Sequence, residues 1–345
     1  MSWPRRSWAV RSAFRSTELL AFNKANARFK SEVEGREAPD RNEEMLLYQA
    51  LLGAWPWKTP GEGDPLVLPP TEELKTLRER LQGYFLKATK EAKVNTSWIQ
   101  ADERWDEAVA KFVVGVVEQP SGSRFWRIFM PLARRLAQIG MHNSLSQVVL
   151  KLAAPGVPDI YQGNELWDFS LVDPDNRRPV DFALRARMLA ELDSDRSSRG
   201  PVAAARQRYL RWEDGAVKLL VTALGLRARR AHPELFGDGE HVPLHAKGAH
   251  AEKLCAFART HGAELAVVIA PRLIASLLTG DDRSRTLPAR VFSGTLLPVP
   301  GLLPGDKLVD ALTDETHVAR PHGDGAALEV DALLGVLPVA LLIKV

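Results

Sequence analysis

Residues 157–181 hold the densest set of side chains that could do chemistry. They read ValProAspIleTyrGlnGlyAsnGluLeuTrpAspPheSerLeuValAspProAspAsnArgArgProValAsp. Asp159, Glu165, Asp168, Asp173, Asp175 and Asp181 supply carboxylates, Arg177 and Arg178 planar donors, and Tyr161, Trp167 and Phe169 flat apolar faces. A sugar presents the matching chemistry, because its hydroxyls both donate and accept hydrogen bonds and one face of its ring is apolar. The run AspProAspAsnArgArgPro also fits a second reading, a loop that folds itself through Asx turns and Arg–carboxylate pairs. Three aromatics among six carboxylates favour the ligand reading for the stretch as a whole, since a purely solvated loop has no need of them.

Other candidates are weaker. AlaProAspArgAsnGluGlu at 38–44 offers Asp40 and Asn42 for polar contacts, and a capped helix start explains them equally well. LysValAsnThrSerTrp at 93–98 sets Lys93, Asn95, Ser97 and Trp98 near a ligand or simply ends a helix. His142, beside Asn143, reads as a hydrogen-bonded structural residue rather than a base. Gly-rich phosphate loops, paired histidines at metal spacing and nucleophile elbows are absent from the sequence, so nucleotide, zinc and serine-hydrolase chemistry lack support. No metal and no cofactor is expected.

The elements that must position these residues follow from hydrophobic period. Helices are expected over about 43–52, 71–93, 102–117, 124–139 and 143–153, with a Pro/Gly-rich loop over 55–70. The helical period breaks at ProGlyValPro, and the short apolar segment 157–161 fits one buried parallel strand. A loop directly after such a strand lies at the carboxyl end of a sheet, where parallel folds build their sites. Helices over about 180–192 and 214–230 follow. From Leu254 the pattern becomes short apolar runs between Gly, Pro and Asp, including ArgValPheSer at 290–293, which reads as an antiparallel β-sandwich.

Composition narrows the class. Of 345 residues, 45% are hydrophobic and 26% charged, the balance of a globular chain with a sizeable core. No apolar run approaches the roughly 20 residues a membrane helix needs, so no membrane partner is expected. The single cysteine, Cys255, excludes an internal disulfide and fits a reducing cytoplasm. The net charge of +3 is local: the first 30 residues hold seven Lys/Arg against Glu18 alone, and the other 315, with 39 basic and 42 acidic side chains, are net acidic. Nucleic acid is therefore not an expected partner. The Arg- and Ser-rich start, MSWPRRSWAVRSAFRSTELL, has the composition of an organellar transit peptide, of a solvated basic tail, or of sequence foreign to the rest.

The stretch 157–181 closely resembles the malto-oligosyltrehalose synthase family of the α-amylase superfamily. The resemblance extends to AlaProAspArgAsnGluGlu and LeuLeuTyrGlnAlaLeuLeuGlyAlaTrpPro within 38–56, to LysGluAlaLysValAsnThrSerTrp at 90–98, to AsnSerLeuSerGlnValValLeuLysLeuAlaAlaProGly at 143–156, and to ArgArgAlaHisProGluLeuPhe at 229–236. It runs from about residue 22 to the C-terminus. It implies an α/β fold, the C-terminal part of a (β/α)8 barrel with helical insertions, followed by an antiparallel β-sandwich. The implied domains are an unmatched basic start over 1–21, the barrel end over 22–235 and the sandwich over 236–345, with 157–161 as the last barrel strand. The implied reaction converts the reducing-end α-1,4 linkage of a malto-oligosaccharide into the α,α-1,1 linkage of a trehalose unit, with no cofactor. Tyr161, Gln162, Glu165, Trp167, Asp173, Asp175, Asn176, Arg177, Arg178 and Asp181 would line the sugar subsites.

The resemblance also shows a departure. Retaining glycoside enzymes need two carboxyl groups about 5 Å apart, and this superfamily draws them, with a third Asp, from strands four, five and seven. All three precede the matched region, so no catalytic residue is assigned in this chain. The expectation is a C-terminal part of a longer enzyme, begun by a false start or a shifted frame, inactive alone and complemented by the missing N-terminal barrel segment. A stand-alone glucan-binding module is the alternative, and an independent hydrolase using two of the loop carboxylates is a third reading.

Overall fold

The computed structural model describes residues 16–56, 67–278, 286–288 and 290–345. The basic start up to residue 15 and most of the expected 55–70 loop lie outside the described residues. The chain forms two compact units, Met1–Ala137 with Phe169–Pro179, and Gln138–Asp168 with Val180–Val345. The division therefore falls inside the 157–181 stretch rather than at the change of sequence pattern near 236.

The first unit is helical. Helix α1 (Ser16–Asn26) leads into a hairpin of β1 (Ser31–Val33) and β2 (Arg36–Ala38), then α2 (Arg41–Ala54), α3 (Thr71–Ala92) and α4 (Glu103–Val117). Two of these helices are capped by an aspartate. Asp40 caps α2 by accepting the amides of Asn42 at 2.8 Å and Glu43 at 2.9 Å, and Glu43 returns a bond to the Asp40 amide. Asp102 caps α4 by accepting the amides of Arg104 and Trp105, each at 3.1 Å. On α3, Leu77, Leu81 and Phe85 recur on one face and are buried, and the helix ends where Lys93 turns left-handed at φ 57°. The core is aromatic: Phe22, Tyr48, Trp55, Phe125, Trp126 and Phe129 pack edge-on or tilted, with neighbouring centroids 4.9 to 6.4 Å apart.

Helix α5 (Arg124–Ala153) is one element where the sequence suggests two. Gly140 costs only about 1 kcal/mol against Ala inside a helix, and burial of Met141, His142 and Leu145 around it outweighs that. Beyond the loop lie α6 (Phe182–Arg199), α7 (Pro201–Leu210), α8 (Ala216–Ala231) and α9 (Pro233–Gly237). Helix α7 has no counterpart in the sequence reading; Gly200 at φ 85° ends α6, and Pro201 restarts the helix at its first position.

The second unit carries two antiparallel sheets. One has six strands in the order β3 (Glu240–Leu244), β4 (Leu254–His261), β5 (Glu264–Pro271), β11 (Ala340–Lys344), β7 (Lys307–Asp310), β8 (Thr316–Val318). The other has three, β6 (Leu296–Pro298), β10 (Gly325–Glu329) and β9 (Arg320–His322). Both sheets contribute to one apolar core, Val267, Ile269, Leu308 and Leu342 from the first with Leu297, Ala326 and Leu328 from the second. A short helix, α10 (Val330–Leu333), links β10 to β11. ArgValPheSer at 290–293 is a turn rather than a strand, with Phe292 buried in that core.

The expected parallel strand at 157–161 does not form. The segment pairs with no strand, Val157 is 95% exposed, and every described sheet is antiparallel. A buried parallel strand needs a neighbour on each edge and a covered face, and none of these is present among the described residues.

The end of α5, which launches this segment, is held by two guanidinium groups. Arg259 of β4, fully buried, donates to Ala153 O at 3.0 Å, Gly239 O at 2.6 Å and Glu240 O at 3.3 Å. Arg229 of α8 donates to Leu152 O at 2.8 Å and to Gly156 O. The helix's unpaired carbonyls and its negative dipole end thus meet two cations. Replacing Arg259 with Met should lower stability by about 3 kcal/mol, because three carbonyls lose a charged donor; a drop in the urea midpoint at unchanged slope, with little recovery in Arg259→Lys, is the expected result.

Candidate functional site

Between Tyr161 and Asp168 the chain makes two turns that α6 and α8 hold from the side. Arg185 on α6 is the hub. It reaches Glu165 Oε2 at 2.9 Å, Gly163 O at 2.8 Å and Asp181 O at 3.1 Å, while Asp181 caps α6 by accepting the Leu184 amide at 2.7 Å. Glu165 and Asp181 are therefore brought together through one guanidinium. Trp167 is half-buried. Its Nε1 donates to Trp212 O at 2.5 Å, and the Lys218 ammonium lies 5.7 Å from its ring centroid while donating to Leu166 O at 3.1 Å. Gly215, at φ 77°, lets α8 start against this turn, since a Cβ there would sit 3.0 Å from Trp167 N. Tyr161 and Gln162 stay exposed.

Residues 169–179 belong to the first unit, and there Arg80 of α3 plays the matching role. It grips Asp175 through Nε at 2.9 Å and Nη2 at 2.9 Å and also donates to Phe169 O at 2.6 Å. Asp175 further accepts the Leu171 amide at 2.6 Å. Arg178 folds back onto Asp175 O at 3.0 Å and Ser170 Oγ at 3.2 Å, Arg177 pairs with Asp173, and Lys87 donates to Asp173 O at 2.6 Å. Burial works to raise the Asp175 carboxyl. The Arg80 hydrogen bonds, the Leu171 amide and the charges of Arg80 and Arg178 outweigh it and hold the group below the usual carboxylate range. The loop-building reading of AspProAspAsnArgArgPro thus describes Asp175 and Arg178 well. Asn176 keeps a buried Oδ1 without a partner among the described residues, and Arg177 is 71% exposed on its side chain.

The two secondary motifs meet. Asn95 donates to Asp40 Oδ2 at 2.9 Å and Glu43 Oε1 at 3.2 Å, and Trp105 Nε1 donates to the same Glu43. Their polar groups are spent on one another, while Trp98 is 59% exposed with the Lys90 ammonium 5.0 Å from its ring centre. His142 bridges Gln138 O and Tyr209 OH, each at 2.8 Å, and burial pushes it down to about 4, so it is a neutral structural residue. No group of three or more His, Cys, Asp and Glu arranged for a metal is present among the described residues. No described helix is long and apolar enough to cross a membrane.

Sequence reasoning missed Arg80, Arg185 and Lys218. Arg185 had a local signal, one helical turn beyond the cap Asp181. Arg80 had none, since it stands 95 residues from Asp175. Burial pulls the Lys218 amine down to about 8, assisted by the charge of Lys151 and opposed by Asp168 and Glu165.

The fold matches that of maltooligosyltrehalose synthases, an α-amylase-type fold. A protein of Mycobacterium tuberculosis named as a maltooligosyl trehalose synthase is 33% identical over 310 residues, 89% of this chain and 32% of that protein. The solved maltooligosyltrehalose synthase from Arthrobacter ramosus is 34% identical, with a TM-score of 0.68 over 97% of this chain and 36% of its own. A Sulfolobus tokodaii structure described as a hypothetical maltooligosyl trehalose synthase shares the fold at 23% identity and a TM-score of 0.58 over 95% of this chain and 34% of its own. No protein-family model matches. Over its own length the chain is similar to malto-oligosyltrehalose synthases, and it spans about a third of the length of the relatives it matches.

The Asp175 anchor has a pH signature. A depressed carboxyl contributes stability that is present above its unfolded value near 3.8 and lost as pH falls through the lower folded value. Hydrogen exchange at the Leu171 amide, corrected for intrinsic rate, should stay protected at pH 5 and open as the solution is acidified below about 4. In Asp175→Asn the amide should exchange faster at all these pH values, with no such acid step.

Proposed function

We propose that this chain is the C-terminal portion of a malto-oligosyltrehalose synthase, a (1→4)-α-D-glucan 1-α-D-glucosylmutase of trehalose biosynthesis, acting in the cytoplasm. In this reading residues 22–235 are the end of a (β/α)8 barrel with its helical insertion, 236–345 are a β-sandwich, and the 157–161 segment becomes a barrel strand only when preceding strands flank it. The two catalytic carboxylates come from that preceding barrel segment, so the chain by itself binds malto-oligosaccharide without converting it. The observation that carries the reading is a division of labour in the loop. Glu165, Asp175 and Asp181 are spent on Arg185, Arg80 and the α6 amides to hold the backbone, while the Tyr161 ring and the Gln162 amide remain exposed.

Mechanistically, a retaining transfer within one glucan needs the cleaved glucose kept in place while its anomeric acceptor is re-presented, with water kept out. Aromatic faces at Tyr161 and Trp167 suit this, because stacking on a ring holds a sugar while tolerating its rotation.

Incubation of the chain alone with maltohexaose should leave the reducing ends unchanged. The chain should nevertheless be retained on immobilised amylose, and Tyr161→Ala and Trp167→Ala should each weaken that retention about tenfold, the loss expected for one stacking contact. Loss of reducing ends with this chain alone would overturn the placement of the catalytic carboxylates, and unretarded elution would overturn the glucan surface.

A further inference from the structure

Behind the Leu166–Trp167 turn, the second unit holds a cavity of about 170 Å³ lined by Ser144, Gln147 and Lys151 of α5, Asn164 of the loop, and Lys218 and Thr222 of α8. Lys218 is 8% exposed and Thr222 5%. Of the three donors on the Lys218 ammonium, one goes to Leu166 O at 3.1 Å, and the face of Trp167 lies 5.7 Å away. Asp168 and Glu165 act on Lys218 through charge, and Glu165 is held by Arg185 at 2.9 Å. A second cation, Lys151, stands close enough to repel it.

Lys218 is the buried cation of this cavity and has two ammonium donors left over, which is costly because a buried charge is stable only when paired and hydrogen-bonded. Lys151, in contrast, is exposed and already donates to Asp159 O at 2.7 Å. We propose that this cavity binds a small tetrahedral oxyanion, phosphate or sulfate, held by the ammonium groups of Lys218 and Lys151 and by the hydroxyls of Ser144 and Thr222. The anion would take the two unused Lys218 donors, and the hydroxyl and amide groups of Ser144, Gln147, Asn164 and Thr222 would complete its shell. Because Lys218 also holds Leu166 O and faces Trp167, occupancy would stiffen the turn that carries Trp167. This site is separate from the glucan reading and stands without it.

Calorimetric titration of inorganic phosphate into the whole chain at pH 7, at ionic strength fixed with chloride, tests the proposal. Saturable one-to-one binding is expected, weakened at least tenfold in Lys218→Met and several-fold in Thr222→Val. Thr222→Val keeps the helix and the volume and carries the test if Lys218→Met does not fold. Sulfate, whose charge is constant, should bind less tightly as pH rises through about 8, where Lys218 loses its proton while Asp168 and Glu165 face it unchanged. Trp167 emission should shift on binding and lose that shift in Lys218→Met. Non-saturable heat, heat matched by added chloride, or binding that survives both substitutions would overturn the site.

Discussion

A buried arginine without a carboxylate fixes the geometry around which the second unit is arranged. Arg259 sits in β4 and spends its guanidinium on three backbone carbonyls, one at the end of α5 and two in the turn between α9 and β3. A cation bonded to carbonyls needs those carbonyls in place, so the helix end, the α9–β3 turn and the sheet edge are tied by a single group. Arg229 adds a second grip one residue earlier on α5, at Leu152 O. The segment at 157–161 leaves from a rigid point even though it pairs with no strand.

The loop that follows is built on the same plan, with arginines from distant helices closing on carbonyls and carboxylates. Arg185 gathers Gly163, Glu165 and Asp181, and Arg80 gathers Phe169 and Asp175. A planar fork is suited to this task, since two parallel hydrogen bonds set orientation as well as distance. The carboxylates so engaged act as fasteners. The Tyr161 ring and the Gln162 amide stay exposed beside them, as does the Arg177 guanidinium.

The chain's relation to the malto-oligosyltrehalose synthases gives this arrangement a context. It spans about a third of the length of such a protein. Val157 is exposed and the 157–161 backbone pairs with no strand.

The sequence alone determined the elements whose causes are local. The Asp40 cap, the helices over 71–93 and 102–117, the apolar runs of β4, β5, β7, β10 and β11, and the polar character of 157–181 were all legible, because period and capping act within a few residues. It misjudged Gly140 and 290–293, where burial outweighed local propensity, and it made 157–161 a strand, which needs partners that lie elsewhere in a fold. Only the tertiary structure decided which carboxylates hold the backbone and which surfaces stay free. That outcome depends on Arg80, Arg185 and Lys218 arriving from separate helices, and a contact across 95 residues, as between Arg80 and Asp175, leaves no mark in local spacing.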